Sequence, residues 1–220
     1  MTKSAIIFLN GEPTDATHLG EYLDNGALLI GTDGGTRHIL NLGLVPNVII
    51  GDFDSLPRST VIGALPPNGQ ETVIDGTAYV RYPLDKDYTD AELAIRYAAQ
   101  AGCTDIILTG ALGGRLDHLL GNVLLLSKRE FAAIQLKIIE DDQEVFIIRG
   151  HTSVPGKKDD AISFIPITGY PRVASCSGLK YDLSNYRLSL QGNLGISNVM
   201  LGPTAEIVMA QGLLLVIHQL

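Results

Sequence analysis

The sequence predicts an α/β protein with a parallel-sheet N-terminal domain, helices on both faces of that sheet, and a smaller C-terminal antiparallel β-sandwich or barrel. Two observations support this prediction. Over the first two thirds of the chain, short apolar runs alternate with segments of helical period, a pattern typical of parallel strands joined by helices. After about Val145 the pattern changes to short β-rich runs broken by Gly, Pro, Asn and Ser. We therefore expect one domain over residues 1–143 and a second over residues 144–220.

Six apolar runs are predicted to form the strands of the N-terminal sheet, because each is short and separated from the next by a helix-period segment or a turn. In chain order these runs are Ala5 to Leu9, Ala27 to Ile30, Val48 to Ile50, Ala78 to Tyr82, Ile106 to Leu108 and Ile134 to Ile139.

Two helices are predicted with particular clarity. Thr89 and Glu92 have capping-box spacing, so a helix should begin at Thr89 and carry Asp90 in its first turn. A second helix is expected from about Leu116 to Arg129. Its apolar stripe would consist of Leu116, Leu119, Leu120, Val123 and Leu124.

The second part of the chain shows no strong helical period, and short β-rich runs predict its strands. These runs are Phe146 to Arg149, Ala161 to Ile165, Leu188 to Leu190, Ile207 to Met209 and Leu213 to His218.

Composition limits the function classes. With 220 residues and 45% hydrophobic content, the chain can bury one large core, or one ordinary core plus a small second domain. Its formal net charge of −8 and pI near 5.0 argue against a nucleic-acid-binding protein. Cys103 and Cys176 lie far apart in apolar contexts, so buried free thiols are expected. The run Ala5 to Leu9 is too short for a signal sequence, and no stretch is long enough to cross a bilayer. These features predict a cytoplasmic protein without a membrane partner.

Four short acidic segments lie between residues 51 and 118, and their grouping predicts metal-assisted phosphate chemistry. Carboxylates that share one cleft repel one another unless a cation neutralises them. Mg²⁺ prefers oxygen ligands, is usually held by one or two carboxylates, and completes its shell with water and phosphates. The segments are Gly51 to Ser55, Asp85 to Asp87, Thr89 to Asp90 and Gly113 to His118.

The motif Gly51-Asp52-Phe53-Asp54-Ser55 is the most specific of these segments, because it places two carboxylates at the carboxyl end of a predicted strand. An earlier segment, Gly31 to Arg37, follows a strand in the same way. Its glycines would let backbone N–H groups approach a phosphate, although an ordinary tight turn explains that segment equally well.

Two later segments add further acids and cations. In Asp85 to Asp90, favourable placement at a helix N-terminus explains one acid but not three. In Gly110 to His118, Arg115 can grip two phosphate oxygens at once. His118 alone indicates little. A Walker A loop is absent from the sequence.

Taken in this order and at these spacings, the motifs at 33–35, 51–55, 85–90 and 113–118 resemble the thiamine pyrophosphokinase family. The segments Gly178 to Tyr181 and Gly195 to Asn198 look like that family's segments in its smaller β-domain, so the resemblance covers nearly the whole chain. It implies a transferase that moves the pyrophosphoryl group of ATP to the hydroxyl of thiamine, giving thiamine diphosphate and AMP. It also implies a homodimer whose active sites combine the catalytic domain of one subunit with the β-domain of the other.

The resemblance implies roles for individual residues as well. Mg²⁺ would be held by Asp52, Asp54 and Asp90, and these acids together with Arg115 and Asp117 form the expected catalytic set. Ser197 and Asn198 would contact thiamine. Several relatives place a tryptophan beside thiamine, but this chain has no Trp, so Tyr181 could stack there instead. The residues expected at the ATP site are Asp33, Gly34, Gly35, Arg37, Lys86, Asp87, Thr89, Arg115 and His118.

Two other interpretations are open at this point. A haloacid-dehalogenase-like phosphatase would use Asp52 and Asp54 as its D-x-D loop, but that loop normally follows the first core strand and here two βα units precede it. A nucleotide-sensing module without activity would not need so many acids. The residues do not identify the general base, the number of metal ions, the nucleotide preference or any regulation.

Overall fold

The computed structural model describes residues 3–12, 16–54, 56 and 65–220, which fall into two units, Met1–Asp141 and Asp142–Leu220. The predicted fold class is confirmed. The first unit contains a mostly parallel sheet with helices, and the second contains antiparallel strands.

Among the described residues of the first unit, seven strands form a sheet in the order β7-β6-β1-β2-β3-β5-β4. All neighbouring pairs are parallel except β4 and β5, which form an antiparallel pair at the edge. The bounds are β1 Ser4–Phe8, β2 Leu28–Thr32, β3 Val48–Gly51, β4 Glu71–Ile74, β5 Thr77–Arg81, β6 Asp105–Thr109 and β7 Gln135–Glu140.

The helices of this unit are α1 Gly20–Asp24, α2 Thr36–Asn41, α3 Asp90–Gln100 and α4 Leu116–Leu125. Short 3₁₀ turns cover Ala16–Leu19, Asp33–Gly35 and Arg129–Phe131. Helices α2 and α3 pack on the central strands. The resulting core includes Ile6, Ile30, Ile49, Ile95 and Ile107, which are completely buried.

The predicted start of α3 is confirmed. Thr89 is its N-cap, and the Thr89 hydroxyl accepts a hydrogen bond from the Glu92 backbone N–H at 3.3 Å. The Glu92 side chain does not return to the cap. Instead it is buried and forms ion pairs with Arg96 and Lys128. The pair with Lys128 connects α3 to the segment after α4.

The predicted helix Leu116 to Arg129 begins where expected but is wrong in its length. Helix α4 ends at Leu125, and the chain then turns so that Phe131 is buried. The leucines that share one face of α4 are exposed by 68% (Leu116), 51% (Leu120) and 57% (Leu124). Apolar residues three or four apart predict one face of a helix but not what covers that face.

The second unit is a sandwich of two antiparallel sheets. One has the order β12-β10-β14-β8 and the other the order β11-β13-β9. Its core includes Val154, Phe164, Val173, Ile207 and Val216, contributed by both sheets. The strands are β8 Gln143–Ile148, β9 His151–Pro155, β10 Ala161–Pro166, β11 Arg172–Ser177, β12 Asn198–Val199, β13 Thr204–Gln211 and β14 Leu214–Gln219.

The predicted strand Leu188 to Leu190 is wrong, because this segment has no ladder of its own. Leu188 is nevertheless buried, and its N–H donates to the Pro171 carbonyl at 2.9 Å. An isolated apolar run therefore filled a place in the core without forming a strand.

Both cysteines are free thiols, as expected; Cys103 is buried and Cys176 is partly buried. In the described part of the chain, none of the helices combines the length and the apolar character that a membrane crossing requires.

Candidate active site

A cleft with a volume of about 720 Å³ lies at the edge of the first unit's sheet where parallel strands end. Loops after β1, β2, β3 and β6 line it, together with the starts of α3 and α4. Its lining residues are Leu9, Asn10, Gly11, Thr32, Asp33, Asp52, Asp54, Leu84, Lys86, Thr89, Asp90, Ala91, Gly110, Ala111, Gly113, Gly114, Arg115, His118 and Asn122.

Backbone hydrogen bonds hold the loop after β1 against the loop after β6. The N–H of Gly11 donates to the Gly110 carbonyl at 2.8 Å, and a Cβ on Gly11 would lie only 2.3 Å from that oxygen. The buried ring of His38 contacts the Gly11 carbonyl through Nε2 at 3.2 Å. The wall of the cleft is therefore fixed by backbone contacts that tolerate no larger residue at position 11.

Asp33 is the buried acid of the cleft, with 6% of its surface exposed. It begins the 3₁₀ turn after β2 and faces Gly51 at the end of β3. A Cβ on Gly51 would lie 2.1 Å from Asp33 Oδ1, so glycine at this position is what allows the carboxylate to approach the neighbouring strand.

The turn after β3 places the next two acids. Phe53 has a φ of 70°, a conformation that is costly for a bulky residue. Its ring is buried and packs edge-to-face on Tyr79, with centroids 6.1 Å apart, which anchors the turn. The Phe53 N–H then donates to Asp33 Oδ1 at 3.1 Å, and the Asp54 N–H donates to Asp52 Oδ1 at 3.1 Å. Ser55, the last residue of this motif, lies outside the described residues.

Asp33, Asp52 and Asp54 each offer a carboxylate oxygen within 4.8 Å of the others, an arrangement that suits a hard cation. Burial, the nearby charge of Asp90 and a hydrogen bond to Asp52 raise the pKa of Asp33 from 3.8 to about 7. Burial also acts to raise the pKa of Asp52. However, the N–H of Asp54, the side chain of Asp33 and the charge of Lys86 together lower it. The cluster thus holds more negative charge than it can keep without a proton or a cation.

Asp90 lies at the start of α3, on the other side of this group. Its Oδ1 is 2.6 Å from the Nζ of Lys86, four residues earlier in the chain. Thr89, the cap of the same helix, also lines the cleft.

Two polar residues hold the glycine loop after β6. Buried Glu140, at the end of β7, accepts hydrogen bonds from the N–H groups of Ala111 at 2.5 Å and Leu112 at 3.1 Å. Asn122 on α4 donates to the Ala111 carbonyl at 2.9 Å. Both contacts fix the loop that leads to Arg115.

Arg115 and His118 line the cleft at the start of α4. Arg115 pairs with Asp117 at 2.7 Å, and both side chains are largely exposed. This hydrogen-bonded pair raises the pKa of Arg115 and lowers that of Asp117. Asp117 itself is not a lining residue.

Four residues expected at the ATP site do not line the cleft: Gly34, Gly35, Arg37 and Asp87. Gly34 and Gly35 are buried, and a Cβ would lie 2.3 Å from the Asn10 side chain at position 34 and 2.1 Å from the Phe8 carbonyl oxygen at position 35. The side chains of Arg37 and Asp87 are exposed.

The residues expected to contact thiamine lie in the second unit. Tyr181 is 55% exposed, and Ser197 is exposed with a φ of 60°. Asn198 is buried and forms two hydrogen bonds with the Tyr181 backbone. Its Oδ1 accepts from the Tyr181 N–H at 3.0 Å, and its Nδ2 donates to the Tyr181 carbonyl at 2.8 Å. Asn198 therefore holds the Tyr181 backbone in place.

Sequence reasoning missed Glu140, Asn122 and Asn10. Asn10 and Asn122 are uncharged, and Glu140, although followed by Asp141 and Asp142, lies outside the four acidic segments; all three act through contacts with other loops. The one available signal was position, because Glu140 directly follows the predicted strand Ile134 to Ile139, at the same edge as Asp33 and Asp52.

Two family models match the chain. "Thiamin pyrophosphokinase, catalytic domain" matches residues 19–138, and "Thiamin pyrophosphokinase, vitamin B1 binding domain" matches residues 151–214. These comparisons give no support to the alternative interpretation as a haloacid-dehalogenase-like phosphatase.

Individual relatives agree with the family models. Thiamine pyrophosphokinase of Bacillus subtilis is 31% identical to the chain, and the match covers 98% of each protein. The crystal structure of the Bacillus subtilis protein superimposes with a TM-score of 0.81 at 27% identity, covering 99% of both chains. Thiamin pyrophosphokinase from Candida albicans has a TM-score of 0.79 at 17% identity, covering 100% of this chain and 89% of that one, and shows the shared fold.

Replacing Asp33 should stabilise the protein in the absence of divalent cations. Its pKa is about 7 in the folded chain but about 3.9 when unfolded, so the folded chain binds more protons between these values. The contribution of Asp33 to stability therefore falls as pH rises from about 4 to about 7. In EDTA, Asp33→Asn should raise Tm at pH 7.5 by about 3 °C or more and by much less at pH 4.5. The exposed Asp24→Asn serves as control, and an Asp33→Asn effect that does not change with pH would contradict the assignment.

Glu140→Gln should loosen the loop after β6 without unfolding the sheet. Both N–H groups donate to the same Glu140 oxygen, and the neutral amide oxygen of Gln is a weaker acceptor than a carboxylate oxygen, so we expect a loss of about 1–3 kcal/mol of stability. Hydrogen exchange at the Ala111 and Leu112 amides should become faster. Glu71→Gln, on the edge strand β4, is the matched control. Unchanged exchange at both amides would show that Glu140 does not hold the loop.

Proposed function

Since the chain belongs to the thiamine pyrophosphokinase family, we propose that it transfers the pyrophosphoryl group of ATP to the hydroxyl group of thiamine, giving thiamine diphosphate and AMP. The observation that carries this proposal is a cleft at one edge of the sheet that combines four acids with two positively charged side chains. The acids are Asp33, Asp52, Asp54 and Asp90, and the positively charged residues are Lys86 and Arg115. Phosphoryl transfer requires carboxylates that bind a metal ion and positively charged side chains that bind phosphate oxygens.

We propose that Mg²⁺ binds at this group of acids. The donor set fits, because it consists of close carboxylate oxygens. The family resemblance assigned the ion to Asp52, Asp54 and Asp90, whereas the three carboxylates that lie closest together are those of Asp33, Asp52 and Asp54. When bound, the ion neutralises phosphate oxygens and stabilises the charge that develops on the leaving AMP.

The protein's own groups would then orient ATP. Arg115 is exposed at the cleft and can turn its planar fork from Asp117 to two phosphate oxygens. The backbone N–H groups at the start of α4, a ten-residue helix, add positive potential near Arg115 and His118. Holding the loop after β6 in place is the proposed contribution of Glu140 and Asn122.

Thiamine would bind at the second unit, and we accordingly propose residues 1–143 as the catalytic domain and 144–220 as the thiamine-binding domain. An exposed aromatic ring such as Tyr181 suits the cationic thiazolium ring, and Ser197 lies one residue from the amide that holds Tyr181. The free thiols of Cys103 and Cys176 suit a reducing compartment, so we propose that the enzyme acts in the cytoplasm.

We also propose a homodimer with composite active sites. The exposed face of α4 formed by Leu116, Leu120 and Leu124 supports this proposal, because apolar side chains aligned on one helix face are usually covered in an assembly. The face begins next to Arg115, so a second copy seated there would reach the cleft.

The activity is tested by AMP release from ATP with and without thiamine. We expect AMP and thiamine diphosphate in equal amounts, with AMP formation dependent on thiamine. Asp52→Asn and Asp54→Asn should each lower turnover by about 100-fold or more, because each removes a charge from the proposed metal site. Their Tm should change little. Release of inorganic phosphate instead of AMP, or near-normal turnover of both variants at saturating Mg²⁺, would refute this function or this metal site respectively.

The assembly is tested by Leu120→Glu and by subunit mixing. A charge in the α4 face should convert dimers to monomers in analytical ultracentrifugation, whereas Val73→Glu, at an exposed position on β4, should not. Mixed Asp52→Asn and Tyr181→Ala subunits should recover about half the wild-type activity per hybrid dimer, since one of the two composite sites is then intact. Exchange of subunits without recovery would show that each site lies within one chain.

A further inference from the structure

Lys86 occupies an unusual position for a basic side chain. It comes from the loop before α3, yet its ammonium group lies among the acids of the cleft. Its Nζ is 2.6 Å from Asp90 Oδ1, and the Lys86 side chain is only 14% exposed. Its charge also acts on Asp52. The nearby carboxylates compensate the positive charge of this largely enclosed side chain.

The other basic residues of the cleft are placed differently. Among the residues that line it, Arg115 and His118 are exposed, and the Arg115 guanidinium is already paired with Asp117, which is outside the lining. In the described part of the chain, neither has an ion pair with Asp33, Asp52 or Asp90. Among the described basic residues that line the cleft, Lys86 is therefore the one whose charge acts directly on the acids, through its ion pair with Asp90 and its effect on Asp52.

We propose that the Lys86 ammonium is the internal counter-ion of the acidic cluster in the metal-free protein, and that it leaves Asp90 for a phosphate oxygen when a divalent cation and nucleotide bind. The inference rests on the proposed function, because it assumes that this cleft receives a metal ion and a polyphosphate.

Electrostatics explains why the ammonium would move. A divalent cation held by the same carboxylates would lie within a few Å of Nζ, where two positive charges repel strongly in a partly buried site. The ion pair joins residues four apart across the start of a helix, so rotation about the side-chain bonds of Lys86 can break it without moving α3. A phosphate oxygen then offers the charge that Asp90 no longer supplies.

This arrangement makes Lys86 a competitor of the metal in the absence of nucleotide and a partner of the substrate in its presence. A lysine that served only to bind phosphate would leave metal binding alone unaffected. A lysine that served only to stabilise the loop would, on removal, weaken both binding events. The sign of the change in metal affinity therefore separates the three roles.

The experiment measures Mn²⁺ binding to the full-length protein by electron paramagnetic resonance, without nucleotide, for the wild type and Lys86→Met. We expect Mn²⁺ to bind Lys86→Met about tenfold more tightly, because a charge that repels the ion has been removed. Lys137→Met, on β7 and outside the cleft, removes the same charge and should bind Mn²⁺ as the wild type does. Lys86→Arg should also stay near the wild type, because it keeps the charge.

A second measurement adds a non-hydrolysable ATP analogue at saturating Mg²⁺, where Lys86→Met should bind the analogue about tenfold more weakly. Equal or weaker Mn²⁺ binding by folded Lys86→Met, or unchanged binding of the analogue, would overturn the proposal. Neither measurement uses thiamine or turnover. A protein that shows both shifts but forms no thiamine diphosphate would refute the proposed activity and leave the role of Lys86 standing.

Discussion

The carboxylates of Asp33, Asp52 and Asp54 repel one another, and many details of the cleft are explained by the need to hold them together. Asp33 has lost most of its contact with water, so its negative charge is opposed both by burial and by its neighbours. The structure offsets this cost locally. Backbone N–H groups of Phe53 and Asp54 point at carboxylate oxygens, and Lys86 supplies a full positive charge nearby. A rigid scaffold is required because any relaxation would separate the acids.

That rigidity comes from residues with no charge of their own. The absence of a side chain at Gly51 lets Asp33 approach β3, and the buried Phe53 ring holds a backbone conformation that its own sterics disfavour. Both residues belong to the same five-residue motif as Asp52 and Asp54. Within this motif, Asp52 and Asp54 therefore supply the negative charge, while Gly51 and Phe53 provide the backbone geometry that places the acids. Glu140 shows the contrast, since a buried carboxylate that accepts two backbone N–H groups serves as an anchor for a loop.

The sequence predicted the first unit better than the second for a physical reason. The central strands β1, β2, β3 and β6 consist almost entirely of buried residues, so they appear as apolar runs, and their positions were correct to within one or two residues. Strands β4, β9 and β11 alternate exposed and buried positions or carry polar residues, and they were missed. Helical period located α4 but could not show that its apolar face is exposed. Local motifs likewise located the acids of the cleft, whereas Glu140 and Asn122 depend on contacts between segments distant in sequence.

The two units share one further property that bears on how the substrates would enter. In the first, the Lys86 ammonium lies at the acids that would hold a metal ion. In the second, the Lys180 ammonium lies 5.4 Å from the centre of the Tyr181 ring, the exposed aromatic face that would receive the cationic thiazolium. In each unit, a lysine contacts the groups that would bind a cation during the proposed reaction: the acids would bind the metal ion, and the Tyr181 ring would bind the thiazolium. A flexible lysine is well suited to this, because it neutralises or covers the site when the substrate is absent and can move away without any rearrangement of the backbone. Between turnovers, the ammonium groups of Lys86 and Lys180 would thus stabilise the acidic site and the aromatic site in place of the metal ion and the thiazolium ring.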